Sequence, residues 1–345
     1  MAVTITTGTA LFSQSSLFTH SLKPSKTLLH SSHRVYHNEV LKSPCLSNRA
    51  LRFHHANYRN REALKTVCFY ENRDSSNGKE SVAEWPILQR WDVPWEWYTV
   101  SLTSLACGLS FVLTGLVEAA ALPYLGFQIG ELSLDDKAEI LFFDQAFTTA
   151  VVLVTLYSVT NSSKENPDDL YRYDWRDPFN LQRGWLLWAG IGLVGALITI
   201  SLAGVAMSLF SGEAPQRETD ALVRLLPLIG SSSISTACLL GITGVLAPVL
   251  EENVFRGFLM VSLTKWVPTP ISVLISAAVF SAAHLTPGEF PQLFILGTAL
   301  GFSYAQTRNL LTPITIHALW NSGVVLLLTF LQIQGYDIKE LLQVS

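Results

Sequence analysis

The chain has 345 residues, of which 49% are hydrophobic and only 14% charged, and its mean hydropathy is +0.32. Long uncharged runs at that composition place it in the membrane class rather than among soluble domains. Four cysteines (Cys45, Cys68, Cys107 and Cys238) have no metal or redox spacing and define no disulfide framework.

The formal charge of −4 is unevenly spread. Residues 1–67 carry nine Lys/Arg against two acids, Glu39 and Glu62, and hold six of the eight histidines. The rest is acidic, which argues against nucleic acid as a partner. The head is rich in Ser and Thr, poor in acids, opens Met-Ala and lacks a short apolar core. It reads as a plastid transit peptide over 1–67, with cleavage near Val67-Cys68. Residues 68–98 are polar and then Trp-rich (Trp85, Trp91, Trp95, Trp97). Tryptophan prefers the membrane–water boundary, so this segment reads as a stromal or interfacial lead-in.

Apolar spans follow over 99–345. Thr99–Phe127 carries Glu118 near its end, and Ile140–Thr160 has Asp144 at its start. A polar loop, 161–183, leads to Trp185–Phe210. Leu222–Leu263 is interrupted by Pro227, Pro248 and a charged cluster, which predicts a helix, a break and a second helix. Ile271–Leu285, Leu293–Ala305 and Ile314–Ile333 complete the chain. The expected fold is all-α: a polytopic transmembrane bundle of about seven or eight helices.

The charged cluster is Glu251-Glu252-Asn253-Val254-Phe255-Arg256, set between uncharged stretches. Each charge at a helix centre costs roughly 2.5–3.5 kcal/mol on insertion scales, which makes these groups functional candidates. Glu252 and Arg256 have the four-residue spacing of a helical ion pair. Glu251 points about 100° away from that pair. Glu118 and Asp144, the other acids within spans, read as interfacial.

Only two histidines follow the basic head, and both fall within late spans: Phe280…His284 and His317…Asn321. His317 and Asn321 share a helix face. With Glu251 they place a carboxylate, two imidazoles and a carboxamide within reach of one polar pocket. Hydrolysis needs such a set: a desolvated carboxylate as general base, an imidazole to shuttle its proton, and N–H donors for an oxyanion. Singly, each motif has a plainer explanation: a solvated helix end, or an interhelical hydrogen bond.

These three motifs, Glu251-Glu252…Arg256, Phe280…His284 and His317…Asn321, resemble those of the CAAX prenyl endopeptidase and bacteriocin-processing (CPBP, or Abi) membrane proteins. The resemblance covers about 225–335. It implies a glutamate-dependent intramembrane endopeptidase: Glu251 and His284 activating water, His317 and Asn321 stabilising the oxyanion, Glu252 and Arg256 supporting the site. Two His and a Glu are also a zinc donor set, but there is no His-Glu-x-x-His helix and the resemblance points to a metal-free mechanism without cofactor. Partners would be the lipid bilayer and a membrane-embedded or membrane-associated protein substrate. The location would be a chloroplast membrane, thylakoid or inner envelope. The rival expectation is a non-proteolytic scaffold of the same fold supporting chlorophyll or photosynthetic proteins, which a missing catalytic residue would favour. A transporter is a third option, without repeat symmetry to support it.

Overall fold

The computed structural model describes residues 89–124, 126, 132–162, 167–211 and 227–336. The segment read as a transit peptide and the lead-in up to residue 88 lie outside the described residues.

Seven helices run in order among the described residues: α1 (Trp97–Tyr124), α2 (Leu134–Asn161), α3 (Trp185–Ser211), α4 (Ser233–Leu263), α5 (Thr269–Ala283), α6 (Phe290–Thr307) and α7 (Leu311–Ile333). Helices α1, α2, α3, α4 and α7 are long and apolar enough to cross a bilayer. The chain is a multi-pass membrane protein with an all-helical bundle, as its hydropathy predicts.

Local sequence explains the boundaries. Ser133 caps α2 in a capping box with Asp136, satisfying two orphan donors at once. The helix therefore begins well before Ile140. Asp144 is thus ten residues into α2 and buried, not at the start of the span. One face of α3 packs against α6 and α7 through Ala189 and Ala196, while the other exposes Ile191, Val194, Leu197, Leu202 and Val205, a surface that suits lipid.

Helix α4 departs most from expectation. Pro248 does not break it. Two π-helical stretches, Ile242–Leu246 and Asn253–Met260, flank the α-helical Ala247–Glu252. In the first, the Ala247 amide donates to Ile242 O, five residues back. This shift of register lets the helix continue through a proline that lacks an N–H. In the second, Phe255 O accepts the Ser276 hydroxyl at 2.9 Å from α5, so a neighbour serves a carbonyl the π register disturbs.

Helices α5 and α6 approach closely where Gly297 and Gly301, one turn apart, face α5. A Cβ at Gly301 would lie 2.7 Å from Val273 Cγ1, and one at Gly297 would lie 3.2 Å from Ala277. Small residues at this spacing let helix backbones meet in a bilayer.

The lead-in is also packed inward. Trp91 and Trp95 are buried in the main core cluster, whereas Trp97 is exposed. Trp91 stacks on Tyr304 beneath the Arg308 guanidinium, and Trp95 Nε1 donates to Ser262 Oγ at 2.8 Å. Both indoles therefore pin the segment to the ends of α4 and α6.

Candidate active site

Three elements bring the site together: the α-helical turn of α4 with the π stretch that follows it, the C-terminal end of α5, and the second turn of α7. Glu251, Glu252, Arg256, His284 and His317 are all buried, Glu252 and Arg256 completely.

Glu252 and Arg256 form the expected pair, Arg256 Nη1 donating to Glu252 Oε1 at 2.9 Å. The same guanidinium donates through Nη2 to Gly297 O at 3.1 Å, made accessible by the missing side chain on α6. A buried charge left without such partners would be strongly destabilising.

Glu252 Oε1 also lies 2.8 Å from His317 Nδ1. With that oxygen already an acceptor for Arg256, Nδ1 carries the hydrogen and donates. Hydrogen bonding of one ring nitrogen to a carboxylate orients the other, and His317 Nε2 faces Glu251 Oε2 at 3.8 Å.

His284 reaches the same point from the opposite side. The sequence places it within the span from Ile271, but α5 ends at Ala283 and His284 is its C-cap, followed by Leu285 with φ 55°. Its Nδ1 lies 2.8 Å from Phe280 O. A carbonyl only accepts, so Nδ1–H donates, serving one of the last-turn carbonyls that an α-helix leaves orphaned. His284 Nε2 then faces Glu251 Oε2 at 3.9 Å.

Both imidazoles are thus turned by their Nδ1 bonds so that Nε2 looks at Glu251. In neutral form each Nε2 is an acceptor, opposite a carboxylate that also accepts.

Phe280 is the hub. Its ring lies 4.4 Å from the Arg256 guanidinium, with ring centroids 4.6 Å from His284 and 5.8 Å from His317. The aromatic face offers the cation a partner and seats both imidazoles.

Asn321 lies one turn from His317 on α7 and is buried. Its Nδ2 donates to Thr243 O at 3.0 Å, in the first π stretch of α4. One N–H thus ties α7 to α4, rather than to the carboxylate–imidazole cluster. Among the described residues no group of three His, Cys, Asp or Glu side chains is disposed to hold a metal ion.

The sequence motifs miss a second set next to the site. Tyr157 Oη donates to Asn253 Oδ1 at 2.7 Å, and Asn253 Nδ2 donates to Tyr173 Oη at 2.5 Å. Asn253 is fully buried beside Glu252, so this chain links α2 and the 167–184 loop to the acidic turn. Burial pushes the Tyr173 phenol above its ordinary value. Asn253 between two glutamates and an arginine was the available signal, since a buried carboxamide needs partners.

An apolar cavity of about 340 Å3 adjoins the cluster, with Glu251 and His284 in its wall beside Cys107 and Phe111 of α1 and Phe255 of α4.

Residues 233–323 match the family described as Type II CAAX prenyl endopeptidase Rce1-like. The chain is 22% identical over 221 residues to "Putative membrane peptidase YdiL" of Bacillus subtilis, covering 64% of this chain and 86% of that one. It is 25% identical over 149 residues to "Membrane-embedded CAAX protease MroQ" of Staphylococcus aureus, covering 40% of this chain and 56% of the relative. The chain thus spans little more than half the length of the second relative. No solved structure matches it. The helical bundle and these similarities are those of a membrane-embedded peptidase. Within that class, residues 233–323 are similar to the Rce1-like CAAX prenyl endopeptidases.

Proposed function

We propose that Glu251 and His284 activate a water molecule for hydrolysis of a peptide bond in a membrane-associated protein, with His317 and Asn321 stabilising the oxyanion. The observation that carries this is the convergence of both Nε2 atoms on Glu251 Oε2, at 3.9 and 3.8 Å. Glu251 takes a proton as the water oxygen bonds to the scissile carbonyl carbon. The carbonyl oxygen becomes an oxyanion facing His317, whose Nε2 donates to it once protonated, and the remaining N–H of Asn321. The carbon–nitrogen bond then breaks, and the leaving amine takes the proton from Glu251 or His284.

Charge balance supports these roles. Arg256 offsets Glu252 as a buried neutral pair, which leaves Glu251 to face the two imidazoles. Positioned acid–base groups of this kind contribute about 10²–10⁴ in rate, and an oxyanion donor about 10²–10³.

The proposed location is a chloroplast membrane, thylakoid or inner envelope, reached through a transit peptide over 1–67. Its support is the composition of that head. A plastid enzyme is separated from the cytosolic prenylation pathway, so the proposed substrate is a plastid membrane protein without a prenylated C-terminus.

Genetic complementation with Glu251→Gln tests the reading, together with comparison of new protein N-termini in the two sets of plastid membranes. Accumulation of the variant without rescue, and loss of specific cleavage products, is the expected result. Full rescue with an unchanged set of N-termini would overturn the catalytic reading and leave a scaffold.

A further inference from the structure

A second cavity lies away from the carboxylate–imidazole cluster, in the loop between α2 and α3. It has a volume of about 370 Å3, and the residues that line it include Arg172, Arg176, Arg183, Asp174, Asp177 and Asn309. The polar loop 161–183 of the sequence gives no hint that its arginines share one cleft.

The loop is built, not slack. Asp174 N donates to Asn309 Oδ1 at 3.2 Å while Asn309 Nδ2 donates to Asp174 O at 2.6 Å, and Leu310 N donates to Arg172 O at 2.9 Å. Gln306 Nε2 donates to Gln182 O at 2.8 Å. These bonds fasten the loop to the corner between α6 and α7. On its other side, Trp185 Nε1 and Trp188 Nε1, in the first turn of α3, donate to Trp175 O and Leu181 O at 3.4 and 3.1 Å. The arginines are therefore carried on a framework set before any ligand arrives, which lowers the entropy lost on binding.

The position of the loop relative to the bilayer follows from its neighbours. Helix α3 exposes apolar side chains along its length, and its first turn carries two indoles, the residue type of the membrane–water boundary. The loop exposes Trp175, Phe179 and Leu181 beside the cleft, at 68%, 68% and 82%. Such side chains are costly in water but at home in the headgroup and upper acyl region. These side chains suit a cleft at the level of lipid headgroups.

Its charge is positive. Asp174 accepts from the Arg172 side chain and from the Arg176 backbone N–H at 2.9 Å, contacts that hold its carboxyl below its ordinary value. Asp177 offsets one further charge. Among the described residues, no hydrogen bond or salt bridge engages the guanidinium of Arg176 or Arg183. Guanidinium groups match phosphate-type oxyanions in geometry and charge.

We infer that this cleft binds the anionic headgroup of a membrane lipid, a phosphate- or sulfonate-bearing group held by Arg176 and Arg183 while Trp175, Phe179 and Leu181 lie against its acyl chains. A free inorganic anion would satisfy the arginines but leave the exposed apolar surface of those three side chains in water, which favours the lipid.

The test uses the full chain purified in neutral detergent. Native mass spectrometry with equimolar phosphatidylglycerol and phosphatidylcholine reads retained lipid for the wild type and for Arg176→Gln/Arg183→Gln. The wild type should retain phosphatidylglycerol selectively, and the double variant should lose about thirtyfold in that preference, roughly fivefold per basic residue at an anionic surface. Arg176→Lys/Arg183→Lys, which keeps the charge, should retain most of it. Equal retention of the two lipids by the wild type overturns the proposal even if the glutamine variant does not fold. So does an undiminished preference in a folded glutamine variant. Displacement of phosphatidylglycerol by millimolar inorganic phosphate would reassign the cleft to a free anion, and displacement by an acidic peptide to a protein partner; either would refute the lipid assignment.

Discussion

His317 and Glu252 are joined across α7 and α4 by a 2.8 Å contact to the same carboxylate oxygen that accepts from Arg256 at 2.9 Å. One oxygen thereby fixes the orientation of an imidazole and holds a buried cation. Glu251, its neighbour in sequence, faces both Nε2 atoms instead. Adjacent glutamates of identical chemistry are thus turned toward different partners by a single step of helical rotation, and the proposed mechanism gives one to structure and the other to reaction.

That division predicts opposite phenotypes. Glu251→Gln should fold normally and lose about 10²–10⁴ in peptide hydrolysis. Glu252→Ala leaves Arg256 buried without its carboxylate and should destabilise by about 3–5 kcal/mol. Thermal unfolding in detergent alongside a cleavage assay separates the two. Equal stability of both variants would contradict the assignment of the ion pair.

Phe280 links these groups without sharing in hydrogen bonds through its side chain. Phe280→Leu keeps most of the volume but removes the ring face under Arg256, an interaction worth about 0.5–2 kcal/mol. The His284 and His317 rings lose their common seat as well. The expected outcome is a modest loss of stability with a larger fall in kcat than in substrate affinity, read from a full kinetic profile. An unchanged kcat would mean that the imidazoles are positioned by their Nδ1 bonds alone.

The site was legible in the sequence because its chemistry is expensive. Acids, an arginine and the two late histidines stand out against apolar helices, and their spacing places them on helix faces without further information. Less was legible where partners are distant in sequence. Pro248 reads as a break because sequence carries no sign that a π stretch will absorb the missing amide. Trp91 and Trp95 read as interfacial because indoles usually are, whereas Tyr304, Arg308 and Ser262, more than 160 residues on, draw them inward. The arginine cleft was hidden for the same reason: Asn309 and Gln306 shape it from another corner of the fold.

Close approach of α5 and α6 supports the site, since it brings Gly297 O to Arg256. Gly301→Ala would place a methyl 2.7 Å from Val273 Cγ1, and overpacking of this kind costs about 1–3 kcal/mol. Val273→Ala should recover much of that loss in the double variant, although alone it is destabilising. A double-mutant cycle on unfolding free energy reads the coupling. Simple additivity would show that the helices separate freely at this point.

Arg308 fastens the lead-in to the α6–α7 corner. Its guanidinium lies 4.1 Å from the Trp91 ring centroid, pairs with Asp169 at 2.7 Å and donates to the carbonyls of Gln89 and Arg90 at 2.9 and 3.1 Å. The Trp91 amide, which donates to Thr264 Oγ1 at 3.2 Å, reports on whether the segment stays docked. Arg308→Ala should lower the local opening free energy by about 2 kcal/mol, or roughly thirtyfold faster hydrogen exchange at that amide, with protection in the middle of α4 preserved. Arg308→Lys keeps the charge but not the planar fork that serves carboxylate, carbonyls and indole together, so it should give an intermediate rate. Unchanged exchange in the alanine variant would assign docking to the buried indoles alone. Trp91→Ala would then be the substitution that releases the segment.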